Sequence, residues 1–258
     1  MKPTNDKNPK NIIQKTFKTI TYITYPGFFA ALGTYLLYNG FVDYNTSINI
    51  LGDSVSSGGN WIDSLTESTK LWIITWASFA LHALFPLVFV VVMVKRKVFP
   101  SLHLPDLKHR LIAVGFSLVL AISFSGILRL LEAPSILYTW NQLVVFSLLI
   151  QLLFNSLKFK ISIHMLSASA FFAFFYVYAS SFNSLISSEL LSTQSAALLK
   201  LYYLTPNQWI LAAAINLPVV YLARFILKAH DHAELIIGFI VGISITFMNE
   251  WIFRSLGM

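Results

Sequence analysis

Three short stretches of this chain concentrate side chains that can bind an anion and move a proton. The first is His103-Leu104-Pro105-Asp106-Leu107-Lys108-His109-Arg110, the second Lys158-Phe159-Lys160-Ile161-Ser162-Ile163-His164, and the third runs from Arg224 through Lys228 to His230, Asp231, His232 and Glu234. Cations, histidines and a carboxylate together suit the binding of a phosphate and work upon it. Arginine offers a planar fork to phosphate oxygens, and a hydroxyl beside a helix start adds donors. A histidine can attack phosphorus or protonate a leaving oxygen once a neighbour fixes its tautomer. If a helix begins near His230, Glu234 lies at i+4 on the same face, where its carboxylate can orient the imidazole.

The elements that must position these groups are membrane helices. Of 258 residues, 56% are hydrophobic, 15% aromatic and only 11% charged, with a mean hydropathy of +0.68. Soluble domains carry roughly 25% charge, so 18 Lys and Arg with 11 Asp and Glu are too few to coat a globule of this size. Disordered, fibrous and cytosolic classes are excluded. The absence of cysteine removes disulfides, Cys-ligated zinc, iron–sulfur clusters and cysteine nucleophiles together. A net charge of +7 reads first as a topology signal and not as a nucleic-acid footprint.

A bilayer core of roughly 30 Å needs about 20 apolar residues per helical span. Seven stretches qualify: Ile20–Tyr38, Leu71–Val94, Leu111–Leu131, Ile136–Phe154, Ile161–Ser180, Trp209–Leu227 and Leu235–Ile252. Pro26 and Gly27 weaken the first and Pro86 interrupts the second. Tyr38, Trp72, Trp140, Tyr202, Tyr203, Trp209 and Trp251 fall near span ends, as an aromatic belt would. The lysine-rich N-terminus followed by an apolar run reads as a retained signal anchor. The polar segment Phe41–Lys70 reads as a loop with local structure, and Leu190–Leu204 as interfacial or re-entrant. The chain divides into 1–98, holding the basic N-terminus, two helices and that loop, and 99–258, a membrane core.

With seven spans, one face carries Lys2, Lys7, Lys10, Lys15, Lys18, Lys95, Arg96, Lys97, Lys108, Arg110, Lys158, Lys160, Arg224 and Lys228. The other carries only Lys70, Arg129, Lys200 and Arg254. The positive-inside rule puts the first face in the cytoplasm. Two spans separate consecutive clusters, so all three return to that face and can share one pocket.

The residues themselves then carry a family resemblance. Arg224, five residues, His230, three residues, Glu234, together with Lys160-Ile161-Ser162-Ile163-His164, resembles the third and second motifs of the type 2 phosphatidic acid phosphatase superfamily, which includes the vanadium haloperoxidases. The usual forms are S-R-x5-H-x3-D, P-S-G-H and, for the first motif, K-x6-R-P. The resemblance spans roughly residues 100–245. It implies His230 as the nucleophile forming a phosphohistidine, Glu234 as its orienting acid and His164 as the acid for the leaving group, with Arg224, Ser162 and Arg110 holding the phosphate. Ile163 stands where the family has glycine, Ala223 where it has serine, and Glu234 where it has aspartate. Arg110 is followed by Leu111 instead of proline, and His103 stands seven before it, so Lys108 or Lys160 would supply the missing cation. Asp106-Leu107-Lys108-His109-Arg110 and Lys160-Ile161-Ser162-Ile163-His164 resemble a divergent bacterial branch with D-x-K-x-R and K-I-S-x-H forms.

Blander roles fit other polar residues. Lys95, Arg96 and Lys97 serve topology, and Lys158 snorkels to the headgroups. His82, mid-span, reads as a packed, hydrogen-bonded histidine. Arg129 and Glu132 read as a local ion pair, Asn249 and Glu250 as interfacial, and Gly238 with Gly242 as a small-residue pair for close helix packing. Asp231 and His232 could join His230 in a metal site only if adjacent side chains converged, which a helix opposes. The sequence therefore predicts an all-α polytopic membrane helical bundle of about seven transmembrane helices, its last five or six forming a phosphatase-like core. The expected activity is metal-independent hydrolysis of a lipid phosphate or isoprenoid diphosphate through a phosphohistidine, with no cofactor. The expected setting is a bacterial inner membrane, with N-terminus and site on the cytoplasmic side and membrane lipids as the surrounding partners. A phosphotransferase of the same superfamily, or a non-catalytic protein that binds or transports anionic lipids, are the alternatives.

Overall fold

In the computed structural model of the chain, the structure describes residues 16, 26–49, 66–101, 104, 106–189 and 196–255, excepting the side chains of 38–49, 67–68, 135, 179–189, 196–209 and 253–254. The described chain is helical, with no strand among the described residues. The helices are α1 (Pro26–Asn49), α2 (Glu67–Ser78), a π-helical turn (Phe79–Leu84), α3 (Phe85–Lys95), α4 (Leu107–Leu130), α5 (Ser135–Ser156), α6 (Ile163–Glu189), α7 (Ala196–Ile226) and α8 (His232–Ser255). Among the described residues, four continuous helical stretches, Thr69–Lys95, Leu107–Leu130, Ile136–Ser156 and His232–Ile252, are long and apolar enough to cross a membrane, and so fit an integral membrane protein. Pro26–Leu37, Ile163–Tyr178 and Ile210–Ile226 are shorter apolar stretches.

The distribution of polarity agrees with lipid as the solvent. Val119, Leu211, Ile215 and Trp251 are more than half exposed, whereas Thr34, Ser78, Asn141, Asn155, Ser162, Ser169, Thr246 and Asn249 are buried. A water-soluble fold buries the first set and exposes the second. Contacts divide the chain into two compact units, one built around Ile161–Met248 and the other around Pro26–Lys160 with the last residues from Asn249.

In the second unit, Pro86 accounts for the π-helical turn. It has no N–H to donate to the His82 carbonyl, so the register widens and the Phe85 amide donates to Ala80 five residues back. The released His82 carbonyl packs against the bare Cα of Gly27, where a β-carbon would overlap it. At Gly33 a β-carbon would overlap the indole of Trp140, so α1 approaches both neighbours through its glycines. A chain of buried hydrogen bonds then joins the helices. Thr34 Oγ1 lies 2.9 Å from Ser78 Oγ, and Ser78 lies beside His82 Nδ1, its carbonyl at 3.1 Å and its hydroxyl at 3.2 Å. His82 Nε2 is 3.1 Å from Asn141 Oδ1, and Asn141 Nδ2 donates to the Ala121 carbonyl and to Ser125 Oγ at 2.7 Å. The ring of His82 also meets Phe124 edge-on with centroids 4.9 Å apart.

Several expectations change. The local structure of Phe41–Lys70 is helical at both ends: α1 runs on to Asn49 and α2 begins at Glu67, capped by Thr66; residues 50–65 lie outside the described residues. In Leu190–Leu204, residues from Ala196 onward are the start of the long helix α7. Trp140 belongs to no belt. It is 3% exposed and its indole donates to the Ala30 carbonyl, an internal use that hydropathy at a span end cannot distinguish. Asn249 is likewise buried, donating to the Thr139 carbonyl. Arg129 and Glu132 meet through the main chain, Glu132 N to Arg129 O, with Glu132 at φ 51° ending α4.

Candidate active site

Ser162 and His164 of the second cluster and Arg224, His230 and Glu234 of the third lie in the unit built around Ile161–Met248. Helix α6 starts where Ser162 caps it: its hydroxyl accepts from Met165 N at 3.4 Å and its carbonyl from Leu166 N at 2.9 Å. The Ser162 amide in turn donates to the Glu234 carbonyl at 3.3 Å, which ties the start of α6 to the first turn of α8. Two glycines allow that closeness. A β-carbon at Gly238 would stand 2.9 Å from the Ser162 carbonyl, and one at Gly242 would overlap the Ser169 hydroxyl. Thr246, one turn further, donates to the Gly242 carbonyl at 2.9 Å.

Helix α8 begins with a reciprocal cap. Asp231 Oδ1 accepts from the Glu234 amide at 2.8 Å, and Glu234 Oε2 accepts from the Asp231 amide at 3.3 Å. The same Glu234 Oε2 lies 2.7 Å from His230 Nδ1. A carboxylate only accepts, so the imidazole proton sits on Nδ1 and the lone pair of neutral His230 is on Nε2. The His230 side chain is 7% exposed and that of Glu234 19%, so the pair is shielded but not sealed. A short charge-assisted bond of this kind is stronger than a neutral one and fixes the ring.

Arg224 arrives from the last turn of α7. That helix closes with Lys228 at φ 52°, the Ala229 amide bonding back to the Arg224 carbonyl at 3.1 Å. Arg224 is 9% exposed, and its Nε has no hydrogen-bond partner among the described residues. An orphaned, buried guanidinium N–H favours an anion. Ser162 is fully buried, and His164 stands in the first turn of α6 two residues beyond it.

Arg110, Lys108 and Lys160 belong to the other unit. Lys108 and Lys160 are exposed. Arg110 is half-buried, and its Nε is buried with no hydrogen-bond partner among the described residues. His109 Nδ1 pairs with Asp106 at 3.1 Å across the first turn of α4, and His103 lies outside the described residues. His232 turns away from His230: its ring stacks on Phe225 with centroids 4.0 Å apart, and its Nδ1 hydrogen-bonds Tyr221. Two functional details went unread in the sequence. Asp231 is a helix cap, a role signalled by its D-x-x-E spacing before an apolar run, and Tyr221 with Phe225 cradles His232 from one face of α7.

No protein-family model, no curated protein and no solved structure matches the chain.

Proposed function

We propose that the chain is a membrane-embedded phosphatase that hydrolyses a lipid phosphate or isoprenoid diphosphate through a phosphohistidine on His230. The observation that carries this reading is the His230 Nδ1 to Glu234 Oε2 bond of 2.7 Å, in a first turn of α8 held to Ser162 by the Glu234 carbonyl. The resemblance to the type 2 phosphatidic acid phosphatase superfamily supplies the roles. His230 Nε2 attacks phosphorus in line, a P–N bond forms, and the bond from phosphorus to the lipid oxygen breaks. His164 gives that oxygen its proton. Water then attacks the phosphohistidine while His164 takes a proton back, releasing phosphate and restoring His230. Arg224 and Ser162 stabilise charge on the phosphoryl oxygens.

The same reading gives the chain seven spans in a bacterial inner membrane, with its N-terminus and site facing the cytoplasm. Because cysteine is absent, single cysteines at Ser57 and Ser101 test it: an impermeant thiol reagent applied to intact cells should label Ser57→Cys and spare Ser101→Cys. The activity is tested by a panel of lipid phosphates and isoprenoid diphosphates assayed for phosphate release. At least one should be turned over by the wild type and none by His230→Ala; equal release by the variant would sink the assignment.

A further inference from the structure

Helix α5 carries a buried polar ladder, Ser147, Gln151 and Asn155, each one turn from the next. Ser147 is satisfied by the Leu143 carbonyl. Gln151 is 4% exposed and its Oε1 has no partner, while Asn155, at 0% exposure, lacks a partner at both Oδ1 and Nδ2 among the described residues. A buried amide with neither end bonded is costly and rare in a native fold. Placement names what faces it. Asn141 bonds Ala121 and Ser125 across the antiparallel α4–α5 pair. Asn155 stands two heptads beyond Asn141, and Leu107–Leu111 stand two heptads before Ala121–Ser125, so Asn155 is level with the first turn of α4. In that turn Arg110 Nε is also buried and unpartnered among the described residues.

We infer that Arg110, Asn155 and Gln151 form an anion site within this unit that selects a phosphate group carrying a P–OH. The chemistry follows from counting. Arg110 Nε and Asn155 Nδ2 donate and need acceptors, whereas Asn155 Oδ1 and Gln151 Oε1 accept and need donors. A carboxylate or sulfate offers acceptors alone. A singly protonated phosphate or phosphate monoester offers both, and the guanidinium supplies the opposite charge that makes an anion preferable to water. The inference goes beyond the proposed activity by giving Arg110 an anion site within its own unit, and it stands or falls on binding and not on turnover.

The experiment follows the unfolding midpoint of the full chain in detergent, with inorganic phosphate, sulfate or a short-chain phosphatidic acid added at matched ionic strength. Phosphate should stabilise both the wild type and His230→Ala, with sulfate binding at least about tenfold more weakly. Asn155→Leu should cut phosphate affinity at least about tenfold and erase the preference over sulfate. Asn155→Asp keeps the side-chain volume while replacing the donor with a negative charge, so it should do the same if the leucine variant fails to fold. Tighter binding of the short-chain phosphatidic acid than of phosphate assigns the site to a lipid headgroup, and equal binding assigns it to free phosphate; both support the inference. No response of the wild type to phosphate, or an unchanged phosphate-over-sulfate preference in Asn155→Asp, would overturn it. Absent turnover with intact Asn155-dependent binding would defeat the phosphatase reading alone.

Discussion

Two histidines of this chain are shielded from solvent and are held in opposite ways. His230 sits in the short link between α7 and α8, its side chain 7% exposed, with a carboxylate as partner. His82 sits in mid-helix, 8% exposed, among a hydroxyl, a carbonyl and an amide from its own and a neighbouring helix. Taken as a whole residue, His82 is the more deeply buried of the two, but the sharper difference lies in their partners. Under the proposed phosphatase reading, the carboxylate beside His230 would stabilise the imidazolium-like charge that develops as its Nε2 takes on a phosphoryl group. Among the described residues no anion bonds His82, whose neutral partners gain nothing from such charge and instead fasten α2 and the π-helical turn to α5. A histidine is read as reactive or structural from what its second nitrogen touches, not from how hidden it is.

The sharpest way to break this contrast is to delete each ring. His230→Ala should lower phosphate release from a lipid phosphate by about three orders of magnitude or more while leaving the thermal midpoint nearly unchanged. His82→Ala should do the reverse: it removes two hydrogen bonds and leaves a cavity, costing about 2–4 kcal/mol in thermal unfolding, with activity per folded molecule kept within a few-fold. If the stability cost followed His230 and the activity loss followed His82, the contrast would be inverted. Glu234→Gln refines the first half. The amide can still cap α8 but no longer supports a cation on His230, so turnover should fall about 100-fold or more with little loss of stability.

Much of the first half of this comparison was legible in the sequence, because spacing carries it. His230 and Glu234 are one turn apart, and Gly238 and Gly242 announce a close approach that the Ser162 carbonyl and Ser169 indeed make. The second half was legible only in outline. That His82 is a bonded, packed residue follows from its depth, but its partners Ser78 and Asn141 depend on a π-helical turn, and the effect of Pro86 on helical register is not a periodic signal. Trp140 and Asn249 were misplaced at the interface for a related reason: hydropathy reports depth along the membrane normal, not whether a side chain faces lipid or a neighbouring helix. The grouping of Arg110 with the other clusters rested on the parity of spans, which fixes a side of the membrane and not a distance.

Smaller effects sharpen the picture further. Gly242→Ala should cost about 2 kcal/mol because its β-carbon collides with the Ser169 hydroxyl, and by displacing the start of α8 it should lower turnover too. The unfolding midpoint and kcat, measured on the same preparation, check both. At the other extreme, Lys158 holds φ 60° at the end of α5, a conformation glycine adopts without strain. Lys158→Gly should therefore raise stability by about 1 kcal/mol and leave activity unchanged, as a paired thermal and kinetic assay would register.

The central claim, that His230 is a nucleophile, is tested most directly by trapping the intermediate. A lipid phosphate labelled in its phosphoryl group, mixed with the protein and quenched within a turnover, should leave an acid-labile, alkali-stable label that maps to the peptide containing His230 and is absent from His230→Ala. A protein that releases phosphate without ever carrying that label, or a label that persists in His230→Ala, would contradict the account.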